Sequence, residues 1–279
     1  MQAETNAQQQ NCAKSRDGFF IDADNVERPL DPSAHVLKMP TFGTKKITKK
    51  KHIKNQNPLL LFFKAIAFFF IWLILFPFVY IKFRLRVENK TALKSVKKTG
   101  AVIVSNHCHM LDAMLHRLQK KRRFMLTSIP ENFKIPVLST IIKIGDTVPI
   151  PRELGALRLF KDIIDEHLQK KYTILFLPER SLWPYYRSLR PFSNGAFRFA
   201  YQNNVPILPS CVSIRIKHKK NGKKKYRFTL TYFEPLFVDA DLTEREAVEL
   251  LKQAAFKQMQ QRIEIEREND VYVSESDRL

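Results

Sequence analysis

Glycine is scarce, with seven residues in a chain of 279. No G-x-G-x-x-G or Walker run occurs, which excludes the Gly-rich loops that cradle nucleotide phosphates. Cysteine is scarcer still. Cys12, Cys108 and Cys211 are too few and too scattered for a disulfide framework or a zinc cluster. A reducing compartment is the simplest fit. Acidic residues run to 27 against 48 Lys and Arg, a net charge of +21. Such a balance seeks phosphate, on nucleic acid, an anionic membrane face or a phosphorylated substrate. The aromatic–basic interleaving of a nucleic-acid-binding fold is lacking, so no nucleic-acid partner is expected. What the chain does have is apolar bulk. Apolar residues make up 44%, with 22 Phe, enough for one large domain or a domain with appendages.

Residues 1–57 are polar and without pattern, and read as a disordered basic tail. No secretory signal is expected, because the first apolar run comes too late. A basic block, Lys45, Lys46, Lys49, Lys50, Lys51 and Lys54, leads into the Phe-rich stretch Leu59–Ile81, interrupted by Lys64 and Pro77. A membrane span needs about 20 apolar residues, so residues 58–83 are long enough for an anchor. The far flank is also basic (Lys82, Arg84, Arg86). The positive-inside rule then puts both flanks in the cytoplasm. A bent hairpin, or a helix lying in the inner leaflet and broken near Pro77, fits better than a simple span. The expected location is the cell membrane, with the domain on its cytoplasmic face.

From Arg84 the pattern alternates. Strands are expected at 84–88, 101–105, 123–126, 147–150, 172–177, 207–214 and 226–233, and helices at 111–119, 137–143, 154–168 and 196–202. A basic hairpin loop, His218–Lys225, joins the last two strands. Thr243 with Glu246 forms a capping box opening a helix to about Glu268. Residues 271–279 read as a frayed tail. Strands interleaved with helices predict an α/β fold over 84–270: a mixed, mostly parallel sheet flanked by helices.

The stretch Ser105-Asn106-His107-Cys108-His109-Met110-Leu111-Asp112 lies where the strand Ala101–Ser105 hands over to a helix. In open α/β sheets, sites collect at the carboxyl ends of strands. A histidine held by a nearby carboxylate takes a proton from a hydroxyl near neutral pH. Four residues separate His107 from Asp112, so a tight turn brings them together. Asp in a first helical turn is also favoured by the helix dipole alone, so this pair needs company to mean catalysis. Cys108 would face away from a cleft that His107 faces, which argues against a thiol nucleophile.

The company follows in order: Gly145-Asp146-Thr147-Val148-Pro149-Ile150-Pro151-Arg152, then Phe176-Leu177-Pro178-Glu179-Arg180-Ser181, then Pro191–Phe197, then Val205-Pro206-Ile207-Leu208-Pro209. With Asn106-His107-x4-Asp112, the series resembles the 1-acylglycerol-3-phosphate acyltransferase (lysophospholipid acyltransferase) family over roughly residues 84–235. The resemblance implies transfer of a fatty acyl group from acyl-coenzyme A or acyl carrier protein to the free hydroxyl of a lysophosphatidic acid. It implies His107 as general base, Asp112 as its orienting partner, and no cofactor or metal. It implies a phosphate-holding set drawn from Arg152, Glu179, Arg180 and Arg190. Here the chain departs from the family, whose third block reads Glu-Gly-Thr-Arg-Ser. Either Arg180 serves after a two-residue gap, or Leu182 stands where the Arg belongs and Arg187 or Arg190 substitutes. An ordinary surface ion pair is the competing account of each. Two other readings remain: another lysophospholipid or glycolipid acceptor, and a basic membrane-binding protein without activity. The last leaves the clustering of His107, Asp112 and Glu179 unexplained.

Overall fold

The computed structural model describes residues 18–36, 58–119, 123–135, 138–218 and 224–276. The basic block at 45–54 and Lys219–Lys223 of the hairpin loop lie outside them.

The centre is a seven-stranded sheet in the order β3-β9-β8-β4-β7-β5-β6. Its strands are β3 (Arg86–Glu88), β4 (Ala101–Ser105), β5 (Phe124–Ser128), β6 (Thr147–Pro149), β7 (Thr173–Phe176), β8 (Ile207–His218) and β9 (Lys224–Tyr232). Every pairing is parallel except β8 with β9. The expected mixed, mostly parallel sheet flanked by helices is what forms. β4 sits in the middle with all five residues buried. An unbroken apolar run suits it, because a parallel strand covered on both faces has no wet side.

Alternation along the strands divides the core into two layers. Val102, Val104, Ile174 and Ile207 face α5 (Leu154–Gln169), α6 (Gly195–Gln202) and α7 (Glu244–Ser276). Those helices answer with Phe160, Ile164 and Leu168, with Phe197, and with Leu251, Ala255, Met259 and Ile263. The spacing of three and four keeps each set on one helical face. Ala101, Ile103, Leu175 and Leu208 face the other way, onto α3 (Asp112–Gln119) and part of α1 (Pro58–Lys82). α2 (Lys90–Ser95) and α4 (Leu138–Ile144) complete the α-helices among the described residues. The capping box forms: Thr243 Oγ1 donates to Glu246 Oε2 at 2.6 Å, and the Glu246 N–H donates back to Oγ1 at 3.4 Å. α7 runs on to Ser276, past its expected end near Glu268, so residues 271–276 of the expected frayed tail are helical.

Two expectations are corrected, one in α1 and one in the tail. α1 continues unbroken through Pro77 to Lys82. Its carboxyl half is held from one side, with Phe68 and Val79 buried and Trp72, Leu75, Phe76 and Tyr80 against the core. The opposite row, including Phe69, Phe70, Leu73, Ile74, Phe78 and Ile81, is exposed. Among the described residues no helix is long and apolar enough to cross a membrane. In the tail, residues 18–36 form an ordered strap. β1 (Phe19–Ile21) and β2 (Glu27–Pro29) pair antiparallel. Asp22 closes their turn by accepting from the Asp24 and Val26 N–H groups and from Arg28 Nε, each within 2.9 Å.

Candidate active site

The carboxyl ends of β4 and β7 open into two loops that bond to each other. The β4 loop carries His107. Its Nδ1 lies 3.0 Å from Asp112 Oδ2, and Asp112 is fully buried at the start of α3. A carboxylate only accepts, so Nδ1 carries a hydrogen, and in the neutral ring Nε2 keeps its lone pair. The imidazole is 20% exposed, enough for a substrate to reach. The same Oδ2 also accepts the N–H groups of Cys108 and His109, each at 2.8 Å. One carboxylate thus fixes the ring and the backbone around it. Those two N–H groups are spent on it, and His107 N–H goes to Glu179 Oε2 at 3.0 Å. None of the three serves a substrate oxyanion.

Asn106 acts as a piece of backbone. Its Oδ1 accepts from Val212 N–H at 2.8 Å and its Nδ2 donates to Val212 O at 2.9 Å. The β4–β8 ladder therefore continues one residue into the loop, and His107 leaves from a fixed point. Cys108 is buried, and burial with the Asp112 charge pushes its thiol well above the ordinary range. A thiolate nucleophile is excluded there. His109 is wedged among Phe83, Tyr185 and Phe228, with ring centroids 5.0–5.4 Å away. Burial lowers its pKa, and its Nδ1 accepts from Leu111 N–H at 3.2 Å.

The β7 loop supplies the support. Glu179 is 3% exposed. Besides His107 N–H, it accepts Arg190 Nη2 at 2.7 Å and Arg190 N–H at 3.0 Å. Arg190 is 2% exposed. Its guanidinium also donates to Ser181 Oγ at 2.5 Å, to Pro32 O at 2.9 Å and to the Ser181 carbonyl, and it lies 4.6 Å over the Trp183 ring. Trp183 N–H and Tyr185 N–H donate to His107 O and Cys108 O. The two loops are one hydrogen-bonded body.

Of the four residues expected to hold phosphate, Glu179 and Arg190 are therefore placed in the interior, where they position His107 and occupy each other. A long cation buried with its carboxylate has no reach left for a ligand. Arg180 is exposed, in a left-handed turn with φ of 69°. Arg152 is exposed after β6 and pairs loosely with Glu131 at 3.2 Å. β6 stands three strands from β4, about 14 Å at the usual strand spacing. Leu182, on the alternative register, is buried, and Arg187 pairs with Asp24 of the strap.

The strap is the part of the site that sequence reasoning missed. It lies along the β7 loop: Arg28 Nη2 donates to Pro184 O at 2.9 Å, Trp183 Nε1 to Ala34 O at 2.9 Å, and Phe20 meets the Trp183 ring at 6.2 Å. Its one legible signal is the close set Asp22, Asp24 and Arg28 in an otherwise patternless stretch.

A buried carboxylate holding a histidine at the central strand end suits proton abstraction from a hydroxyl. Residues 84–213 match the Acyltransferase family model. That stretch is similar to an acyltransferase domain, as the motif series implied. Among solved structures, the 1-acyl-sn-glycerophosphate (LPA) acyltransferase PlsC from Thermotoga maritima is similar at 18% identity and a TM-score of 0.46, over 76% of this chain and 83% of that one. No curated protein matches the chain.

Proposed function

We propose that the chain transfers a fatty acyl group from a thioester, on coenzyme A or acyl carrier protein, to the free hydroxyl of lysophosphatidic acid, giving phosphatidic acid in phospholipid biosynthesis. The observation that carries this is the His107–Asp112 pair, with Nδ1 held at 3.0 Å and Nε2 left as the base. Nε2 takes the hydroxyl proton as the oxygen attacks the thioester carbonyl. The tetrahedral intermediate collapses, the thiolate leaves, and the imidazolium returns the proton to it. Asp112 steadies the charged ring, as the acid of a serine protease triad does. No enzyme nucleophile, metal or cofactor is needed for that balance.

One observation favours a second acceptor class. Arg190 is internal, so of the expected phosphate residues only Arg152 and Arg180 are exposed. Another lysophospholipid or a glycolipid is the alternative, and a panel of acceptors separates the two.

The same proposal places the chain on the cytoplasmic face of a membrane. The exposed apolar row of α1 supports this, and the strap supports an in-plane helix. Residues before α1 (Asp24, Arg28, Ala34) and after it (Arg187, Pro184, Trp183) bond to one another. A straight span would put these partners on opposite sides of the membrane, against the positive-inside rule for the basic block before α1.

The test is His107→Ala with labelled acyl donors and a lysolipid panel. Turnover should fall by about 10² or more, as loss of a general base does, with the fold intact. His109→Ala, which removes only a packed ring, should be much milder. If His109 proves essential and His107 dispensable, the assignment of the base is wrong.

A further inference from the structure

The strap takes no place in the seven-stranded sheet, and none of its side chains lies in either core layer. Burial of apolar surface therefore gives it little reason to be ordered. Its order comes from polar ties. Arg28 is 2% exposed, with Nε on Asp22 Oδ2 at 2.8 Å, Nη2 on Pro184 O at 2.9 Å, and the guanidinium 5.5 Å over the Tyr186 ring. Asp24 accepts from Arg187 Nε at 2.9 Å. These bonds seat the strap on the β7 loop. Further along, Pro32 O accepts from Arg190 Nη1 at 2.9 Å and from Ser181 Oγ at 3.4 Å, and Ala34 O accepts from Trp183 Nε1 at 2.9 Å.

The two side chains so held, Arg190 and Trp183, both lead to the peptide groups of His107. Arg190 Nη2 binds Glu179 Oε2 at 2.7 Å, and that oxygen accepts His107 N–H at 3.0 Å. Trp183 N–H donates to His107 O at 3.2 Å, and Arg190 Nη2 donates to the same oxygen at 3.4 Å. Arg190 also depends on the strap for its own place. Its Nε is buried with no partner among the described residues. Its Nη1 divides two hydrogens between Pro32 O and Ser181 Oγ. Without Pro32 a second N–H of this buried cation would lose its partner, which costs free energy and draws water in. Water there would compete for Glu179, and so for the His107 N–H. Asp112 sets the tautomer and tilt of the imidazole, but the backbone grip sets where the ring stands. A misplacement of about 1 Å can cost about 10²-fold in rate.

We propose that the strap is a positioning element for the base, acting through Arg190 and Trp183 on the His107 backbone, with Arg28 as its anchor. Arg28 is a positioning residue, since its own bonds are to Asp22 and Pro184. The proposal rests on the acyl-transfer reading, because the base is what the strap places. It goes beyond that reading by giving a part in turnover to residues outside the stretch 84–213 that matches the family model.

The experiment compares Arg28→Ala with the wild type, both full-length, by steady-state acyl transfer and by amide hydrogen exchange. kcat should fall by about tenfold or more while KM for donor and acceptor stays within about twofold, because the ring moves and the substrate contacts do not. Exchange over residues 105–109 should quicken by about tenfold or more, while residues 101–104 of β4 keep their protection. In a His107→Ala background Arg28→Ala should add no further loss, as a second change on one route behaves. Arg28→Lys, which keeps a donor for Pro184 O, should recover part of kcat. Phe20→Ala, which removes a ring from beside Trp183, loosens the strap more gently and covers a folding failure of Arg28→Ala. Thr243→Ala controls for lost stability: it removes the α7 cap, lowers the thermal melt and should leave kcat alone. Unchanged exchange over residues 105–109, a loss carried wholly by KM, or losses that multiply in the His107→Ala background overturn the proposal. Exchange needs no turnover. A wild type without acyl transfer, with the expected exchange in the variant, would overturn the acyl-transfer reading and still bear out the strap's grip on His107.

Discussion

Single residues decide the chemistry through what they are denied. His116 is fully buried in α3, with Nδ1 3.1 Å from the Tyr232 hydroxyl, and burial pushes it down to about 3. The unfolded chain takes up a proton near pH 6.5, which the folded chain refuses until about pH 3. Stability from this residue is complete above pH 6.5 and falls as the pH drops towards 3, by up to about 1.4 kcal/mol per pH unit. His109 and His167, lowered by burial as well, add in the same direction. His116→Asn keeps a hydrogen-bond partner for Tyr232 and should flatten the acid side of the curve. Urea midpoints from about pH 4 to about pH 7 measure it, and an unchanged slope would rule His116 out as the sensor. Arg190 shows why such roles are hard to read from a chain. An arginine is expected outside. Nothing in Leu189-Arg190-Pro191 says that Glu179, across a loop, takes it in. His107 and Asp112 were legible because a turn of fixed length joins them.

At the scale of elements, legibility follows burial. β4, β7, α5 and α7 write themselves as apolar runs or helical stripes, because each is buried against the sheet or forms its middle. α2, β1 and β2 are short and lie at the margins, so no period marks them. Pro77 illustrates a different failure. It predicts a break, yet α1 passes through it, since packing against α3 and α4 offsets one lost hydrogen bond. Gly100 carries the entry to the central strand. Its φ is +77°, and a Cβ there would lie 2.8 Å from Tyr172 O. Backbone cannot swing aside as a side chain can. Gly100→Ala should therefore cost about 2 kcal/mol or more. Chemical denaturation checks it, and a loss under about 0.5 kcal/mol would mean the backbone ahead of β4 and β7 relaxes.

At the scale of the whole molecule, the α/β core could be foreseen and the closure over it could not. The strap is held by hydrogen bonds to carbonyls and by ion pairs, which leave no hydropathy pattern. It ties the residues before α1 to those after it, and that has a topological outcome. Cysteines introduced at Val26 and at Arg245, both exposed, in a Cys12→Ser background should react with an impermeant thiol reagent from the same side of sealed vesicles. Cys108 and Cys211 are buried and stay silent. Labelling from opposite sides would restore a straight span and contradict the strap.

The strap also sets a schedule. It is the first described segment to leave the ribosome, and Ala34 must wait for Trp183, 149 residues later. At roughly 5–20 residues per second, that wait is about 7–30 s. In the interval α1 emerges with its Phe-rich row uncovered, then the His107–Asp112 turn, still without the loop that Glu179 and Arg190 will lock against it. A nascent chain stopped before Glu179 would hold His107 and Asp112 but not the clasp around them. The strap is made before the sheet it closes on, and it settles only once the β7 loop has followed.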